Sequence, residues 1–144
     1  MRLADADARA RLAADDHGTL CTVHPERGID AVPCVYVVDG DGFVGIPVDR
    51  VKPKASPRLK RQSNLEADPR AALLVEQWDH DDWSRLWWVR AQLLWDAAPT
   101  AAREADLGAR LARAYTQYRD QPFERVLVFR VVGVTGWAAS EPRT

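Results

Sequence analysis

Cysteine is nearly missing from this chain, with two in 144 residues, so no disulfide framework can hold it and stability has to come from a buried core. Long apolar runs are missing as well. No stretch approaches the roughly 18 apolar residues needed to span a bilayer. The first residues, MRLADADARARLAADD, alternate alanine with charge and lack the apolar segment of a signal peptide. A cytoplasmic protein with no membrane association is expected. Charge is not in excess of either sign: 20 Lys and Arg against 21 Asp and Glu leave a formal net charge of −1. That balance argues against broad electrostatic binding to nucleic acid. Neither a G-x-S-x-G nucleophile elbow nor a P-loop is present, and no catalytic side-chain set is assigned.

What is present is globular: 47% hydrophobic and 28% charged residues, expected to form one domain over residues 1–144. Helical spacing of Leu3, Ala6, Ala10 and Ala13 predicts a helix from about Asp5 to Asp15, ended by His17 and Gly18. Thr19–His24 and Ile29–Val38 read as a strand hairpin around Pro25-Glu26-Arg27-Gly28, with Pro33 placing the second strand at an edge, a bulge or a break. Asp39-Gly40-Asp41-Gly42 turns into a third strand from Phe43. Ser56 and Pro57 open a short helix that runs to about Ala67. Ala71–Trp78 and Ser84–Leu94 form a second hairpin. A helix over Thr100–Tyr118 and a final strand over Arg125–Val132 complete the chain, followed by Gly136-Trp137. About six strands and three helices in this order predict a mainly β, α+β fold: an antiparallel sheet closed into a small barrel.

Gly40-Asp41-Gly42-Phe43-Val44-Gly45 matches G-x-G-x-x-G, but the segment after it reads as strand, whereas a dinucleotide fingerprint has to open a helix. It is taken as a hairpin turn. His17, Cys21, His24 and Cys34 are all residue types that bind zinc. Strand alternation puts Cys21 and His24 on opposite faces, so the expectation is two buried thiols, two surface histidines and no metal. His80 among Asp79, Asp81 and Asp82 reads as a solvated turn.

Two features stand out. Between Arg50 and Arg61 lie six basic residues and no acid, including all three lysines, Lys52, Lys54 and Lys60. The run leads into a helix start, where backbone amides favour an anion. Six cations suit a longer anion than a single phosphate. Single-stranded nucleic acid would call for aromatics interleaved in the run, and there are none. The second feature is tryptophan: four of six, Trp78, Trp83, Trp87 and Trp88, fall within eleven positions. Trp87 and Trp88 would face opposite sides of a strand, so one fills the barrel and the other meets a partner, a ligand or water.

The succession Val32-Pro33, Ile46-Pro47-Val48-Asp49, Lys52-Pro53-Lys54, Leu59-Lys60-Arg61, Asn64-Leu65 and Asp68-Pro69-Arg70 resembles the pyridoxamine-phosphate-oxidase-like (PPOX-class) flavoproteins. The segment Asp82 to Arg90 is similar to the coenzyme F420-dependent branch of small mycobacterial proteins. The resemblance implies an FMN-binding-type split β-barrel, a homodimer, and an oxidoreductase that moves a hydride between a deazaflavin and a small organic substrate. FMN is the alternative cofactor, and a non-catalytic F420 or anionic-cofactor carrier is a second alternative. It further implies that Lys60 and Arg61 bind phosphate, with Lys52 and Lys54 on the preceding loop. Val48 and Asp49 would approach through backbone atoms, Asn64 would anchor the loop to its helix, and Trp88 would lie on the substrate side. The chemistry would belong to the cofactor. Ala91-Gln92-Leu93-Leu94-Trp95 departs from the glycine and small residue usual there, which points to an altered substrate side.

Overall fold

The computed structural model describes residues 1–49 and 60–140; of Asp49 and Lys60 only the backbone setting is described. Three helices, α1 (Asp5–Ala14), α2 (Lys60–Ala67) and α3 (Ala101–Ala114), accompany seven strands. These are β1 (His17–His24), β2 (Gly28–Val35), β3 (Val37–Val38), β4 (Phe43–Asp49), β5 (Arg70–Gln77), β6 (Trp87–Asp96) and β7 (Phe123–Ala138). All pair antiparallel in one sheet ordered β2-β1-β5-β6-β7-β4-β3. β2 and β3 sit at opposite ends of that order yet are joined through a single residue, Tyr36. The sheet therefore has to curl until its ends meet, which makes it a split barrel, as predicted.

The count is seven strands instead of about six because the predicted strand 29–38 breaks at Tyr36, whose hydroxyl donates to the Leu12 carbonyl from a site 1% exposed. Pro33 lies on β2, which among the described residues pairs with β1 alone and stands at one end of the strand order, an edge position that tolerates proline. His17 begins β1 instead of ending α1. The last strand is sixteen residues long, running through Gly133 and Gly136 where an earlier end was predicted. An extra residue on the β7 side, Val132, marks a bulge between the Gln92–Gly133 and Leu93–Val131 pairs. Trp83–Arg85 is one 3-10 turn before β6, and Thr116–Tyr118 is another after α3. The Ser56 cap lies outside the described residues.

Leu20, Ile46, Leu73, Val89, Leu127 and Phe129 fill the barrel, each at most 1% exposed. α3 covers the outside of β4 and β7 with Leu107 and Leu111, packed against Phe123, Val126 and Val128. That double cover explains why Val44–Val48 is buried without alternation. Gly45 lets α3 approach closely there: a Cβ would stand 3.0 Å from that of Leu107. At the preceding turn, Asp39 Oδ1 accepts the amides of Asp41 and Phe43, which sends the chain straight into β4. The glycine-rich match is thus a hairpin turn, not a dinucleotide loop.

Candidate functional site

α2 follows the basic run and lies against β1. Alternation on β2 places Asp30, Val32 and Cys34 on one face, and the register sets Asp30 directly opposite Thr22, with Val32 opposite Leu20. That pairing turns a carboxylate and a hydroxyl toward α2. Asn64, 2% exposed, answers both: its Nδ2 donates to Thr22 Oγ1 at 3.0 Å and to Asp30 Oδ2 at 2.9 Å. The carboxylate only accepts, so the amide nitrogen has to face it. Asp30 also receives Arg27 from the β1–β2 turn, through Nη2 to Oδ2 at 2.7 Å and Nε to Oδ1 at 3.3 Å. Arg27 first, and Asn64 after it, hold the Asp30 carboxyl below the usual range, so it is ionised at neutral pH.

Around this network lies a cleft of about 380 Å³ lined by Thr22, Arg27, Asp30, Ala31, Val32 and Arg61. Arg61, half-buried one residue into α2, also donates from Nη2 to the Pro47 carbonyl at 3.4 Å, tying α2 to β4. Two guanidiniums, one of them paired to the Asp30 carboxylate, thus share one concavity with small apolar groups, and their remaining N–H groups suit an anionic tail beside an apolar body.

Of the residues predicted for the site, Arg61 and Asn64 meet here. Val48 is 1% exposed in the barrel wall, and Asp49 ends β4. Lys60 is the first residue of α2. Lys52 and Lys54 lie outside the described residues. Trp88 stands apart on β6, which β5 separates from β1; it is half-buried with the Arg90 guanidinium 5.6 Å from its ring centre. Trp87 faces the other way, against the core, its Nε1 donating to Gln77 Oε1 at 2.8 Å. Thr22, Arg27 and Asp30 were missed by sequence reasoning. The available signal was an acid at Asp30 in step with Val32 and Cys34 on one face of a strand.

The cysteines are free and half-buried, less deeply placed than predicted. Cys21 sits opposite Ala31 and Cys34 opposite Gly18, three positions apart in register and therefore on opposite faces. Burial pushes the Cys34 thiol up to about 11. A separate cleft of about 420 Å³ lies between α1 and α3, where Asp15, Asp16, Tyr36, Arg110 and Tyr115 gather. Arg113 lines it too, Arg110 pairs with Asp106 and Asp16 with His17, both partners outside the lining, and both tyrosine hydroxyls donate to backbone carbonyls. The smaller cleft is preferred because it joins Arg61, the last cation of the basic run, to the buried Asn64 network.

No protein-family model matches the chain, and no curated protein matches it. Solved structures do. A FAD-binding protein from Mesorhizobium loti superposes with a TM-score of 0.69 at 16% identity, over 94% of this chain and 93% of that one. An FMN-binding protein from Syntrophomonas wolfei subsp. wolfei gives 0.66 at 18% identity, over 96% and 90%. A heme-binding protein from Mycobacterium smegmatis gives 0.70 at 19% identity, covering 99% of this chain but 57% of that one. At these identities the likeness establishes the fold: this chain is an antiparallel split barrel.

Proposed function

We propose that the protein is an oxidoreductase that holds a flavin-type cofactor by its anionic tail in the cleft between the β1–β2 turn and α2, and acts on a small organic substrate. The observation that carries this reading is the buried Asn64, which ties the middle of α2 to β1 and β2, one turn after Arg61, which lines a cleft that also contains Arg27. The split-barrel fold, shared with proteins described as FMN- and FAD-binding, supports the cofactor class. FMN is the first reading. Coenzyme F420 is the second, favoured by the six cations of Arg50–Arg61 and by the tryptophan-rich segment.

Arg61, with Lys60, Lys52 and Lys54, would hold the phosphate and any further acidic groups of the tail, Val48 and Asp49 would approach through their backbone, and Asn64 would fix the helix that carries Arg61. Such a cofactor supplies the hydride-carrying ring. The chain's part is to bind the tail, orient the ring and keep water from it. A homodimer belongs to the proposal. Trp88 and Trp137 are directly opposite across β6 and β7, both half-buried, an aromatic pair suited to a subunit contact or a planar ligand.

The test is a fluorescence titration of the purified protein with FMN, FAD and F420, followed by a search for electron acceptors. Binding of FMN or F420 that weakens, with a shallower salt dependence, when Lys52, Lys54, Lys60 and Arg61 are neutralised supports the reading. Undiminished affinity in that quadruple variant would mean that the basic run is a solvated charge run and not an anion site. Tight binding with no acceptor ever reduced favours a carrier over an enzyme.

A further inference from the structure

We propose that Arg27 is a second anion-binding guanidinium of the cleft, held toward the ligand by Asp30 and, through Asp30, by Asn64. A terminal phosphate or carboxylate is then gripped between the β1–β2 turn and the start of α2. This rests on the reading of the cleft given above and adds a ligand from outside the basic run, 34 positions before Arg61 in the sequence.

Arg27 and Arg61 line the same cleft. A guanidinium carries five N–H groups in a fixed planar fork. Asp30 engages Nε and Nη2, so Nη1 and the second hydrogen of Nη2 stay available to a ligand. The two-point contact fixes the plane of the fork, whereas an unsupported surface arginine would have to be ordered on binding. The carboxylate is itself held: Oδ2 takes Asn64 Nδ2 as well as Arg27 Nη2, and Asn64 is buried. The turn backbone is fixed too, because His24 Nδ1 accepts the amides of Glu26 and Arg27, both at 3.0 Å. Arg27 thus stands at the end of a chain of contacts that begins on α2 and passes through one carboxylate.

Asp30 admits two opposite roles, and the sign of one substitution separates them. If it merely adds negative charge beside an anion, Asp30→Asn strengthens anion binding. If it positions Arg27, Asp30→Asn weakens binding although a negative charge has been removed.

The probe is inorganic pyrophosphate, followed by its protection against thermal unfolding, with chloride at matched ionic strength as the control; each variant is compared with its own ligand-free midpoint. Wild type is expected to be stabilised by pyrophosphate. Arg27→Ala should need at least tenfold more pyrophosphate for the same shift, Arg27→Lys should fall between, and Asp30→Asn should need more than wild type. In parallel, Arg27→Ala should weaken FMN much more than riboflavin, which lacks the phosphate. If Arg27→Ala does not fold, Arg27→Lys and Asp30→Asn carry the same comparison. An unchanged response in the Arg27 variants, no pyrophosphate protection of wild type, tighter binding by Asp30→Asn, or equal losses of FMN and riboflavin would each overturn the proposal. Arg27-dependent pyrophosphate protection in a protein that binds no FMN, FAD or F420 would sink the redox-cofactor reading and leave this one standing.

Discussion

Removal of the Asn64 side chain tests whether a single buried amide holds α2 to the barrel. In Asn64→Ala the Thr22 hydroxyl, 2% exposed, loses its partner inside the fold. A buried polar group left without a partner costs about 1–3 kcal/mol. Asp30 loses one of its hydrogen bonds as well, but its side chain is 24% exposed, so water replaces most of what is lost. The net expectation is about 2 kcal/mol, or a fall of roughly 4–8 °C in Tm for a chain of this size. Denaturant unfolding followed by tryptophan fluorescence reads the same quantity as a lower midpoint with unchanged slope. Asn64→Asp sharpens the test. It keeps the size but sets a carboxylate against Asp30, so at pH 7 it should cost more than Asn64→Ala. Repulsion raises the folded-state pKa of the facing pair, so the excess cost should shrink as pH falls through the carboxylate range. A loss below about 0.5 kcal/mol for Asn64→Ala, or an Asn64→Asp variant as stable as Asn64→Ala at pH 7, would refute the reasoning.

Gly18→Ala should destabilise by about 1–3 kcal/mol through overpacking, because a Cβ at that position stands 2.6 Å from the backbone oxygen of Leu74 on β5; chemical denaturation checks it, and a neutral result would show that β1 and β5 can separate cheaply. His17 Nδ1 lies 2.6 Å from Asp16 Oδ1, and that carboxylate raises the imidazole above its ordinary 6.5. An NMR titration should find His17 above 6.5 in the wild type and back near it in Asp16→Asn. The linked stability is fully present below the unfolded-state pKa and is lost as pH rises through the raised folded value. It stays below about 1 kcal/mol because the His17 side chain is 75% exposed.

The fold was legible wherever local chemistry decides it. Gly28 and Gly42 adopt positive φ at the two turns read as hairpins, and Thr100 caps α3 by accepting the Arg103 amide. The misses are places where distant packing overrides local signals. Tyr36 breaks a β-branched run because its hydroxyl reaches Leu12 on α1, and Gly136 continues β7 because Leu3 and Ala8 press on it. The site divides the same way. Arg61 and Asn64 belong to one short helix and were reached through the family resemblance of the segment that holds them. Thr22 and Asp30 reach them only through the β1–β2 register, 42 and 34 residues from Asn64 in sequence. Arg27 looked like an ordinary turn residue because nothing in its neighbourhood of the sequence shows that Asp30 is itself held from α2.

The cleft between β1, β2 and α2 is proposed to receive the anionic end of a redox cofactor. Amide and side-chain NMR shifts on titration with FMN, repeated with F420, test it most directly. The Asn64 side-chain NH₂, the backbone amides of Thr22, Asp30 and Arg61, and the Arg27 Nε signal should move together and saturate at one ligand concentration. Shifts confined to the α1–α3 cleft around Tyr36, Tyr115 and Arg110, with these five unmoved, would contradict it.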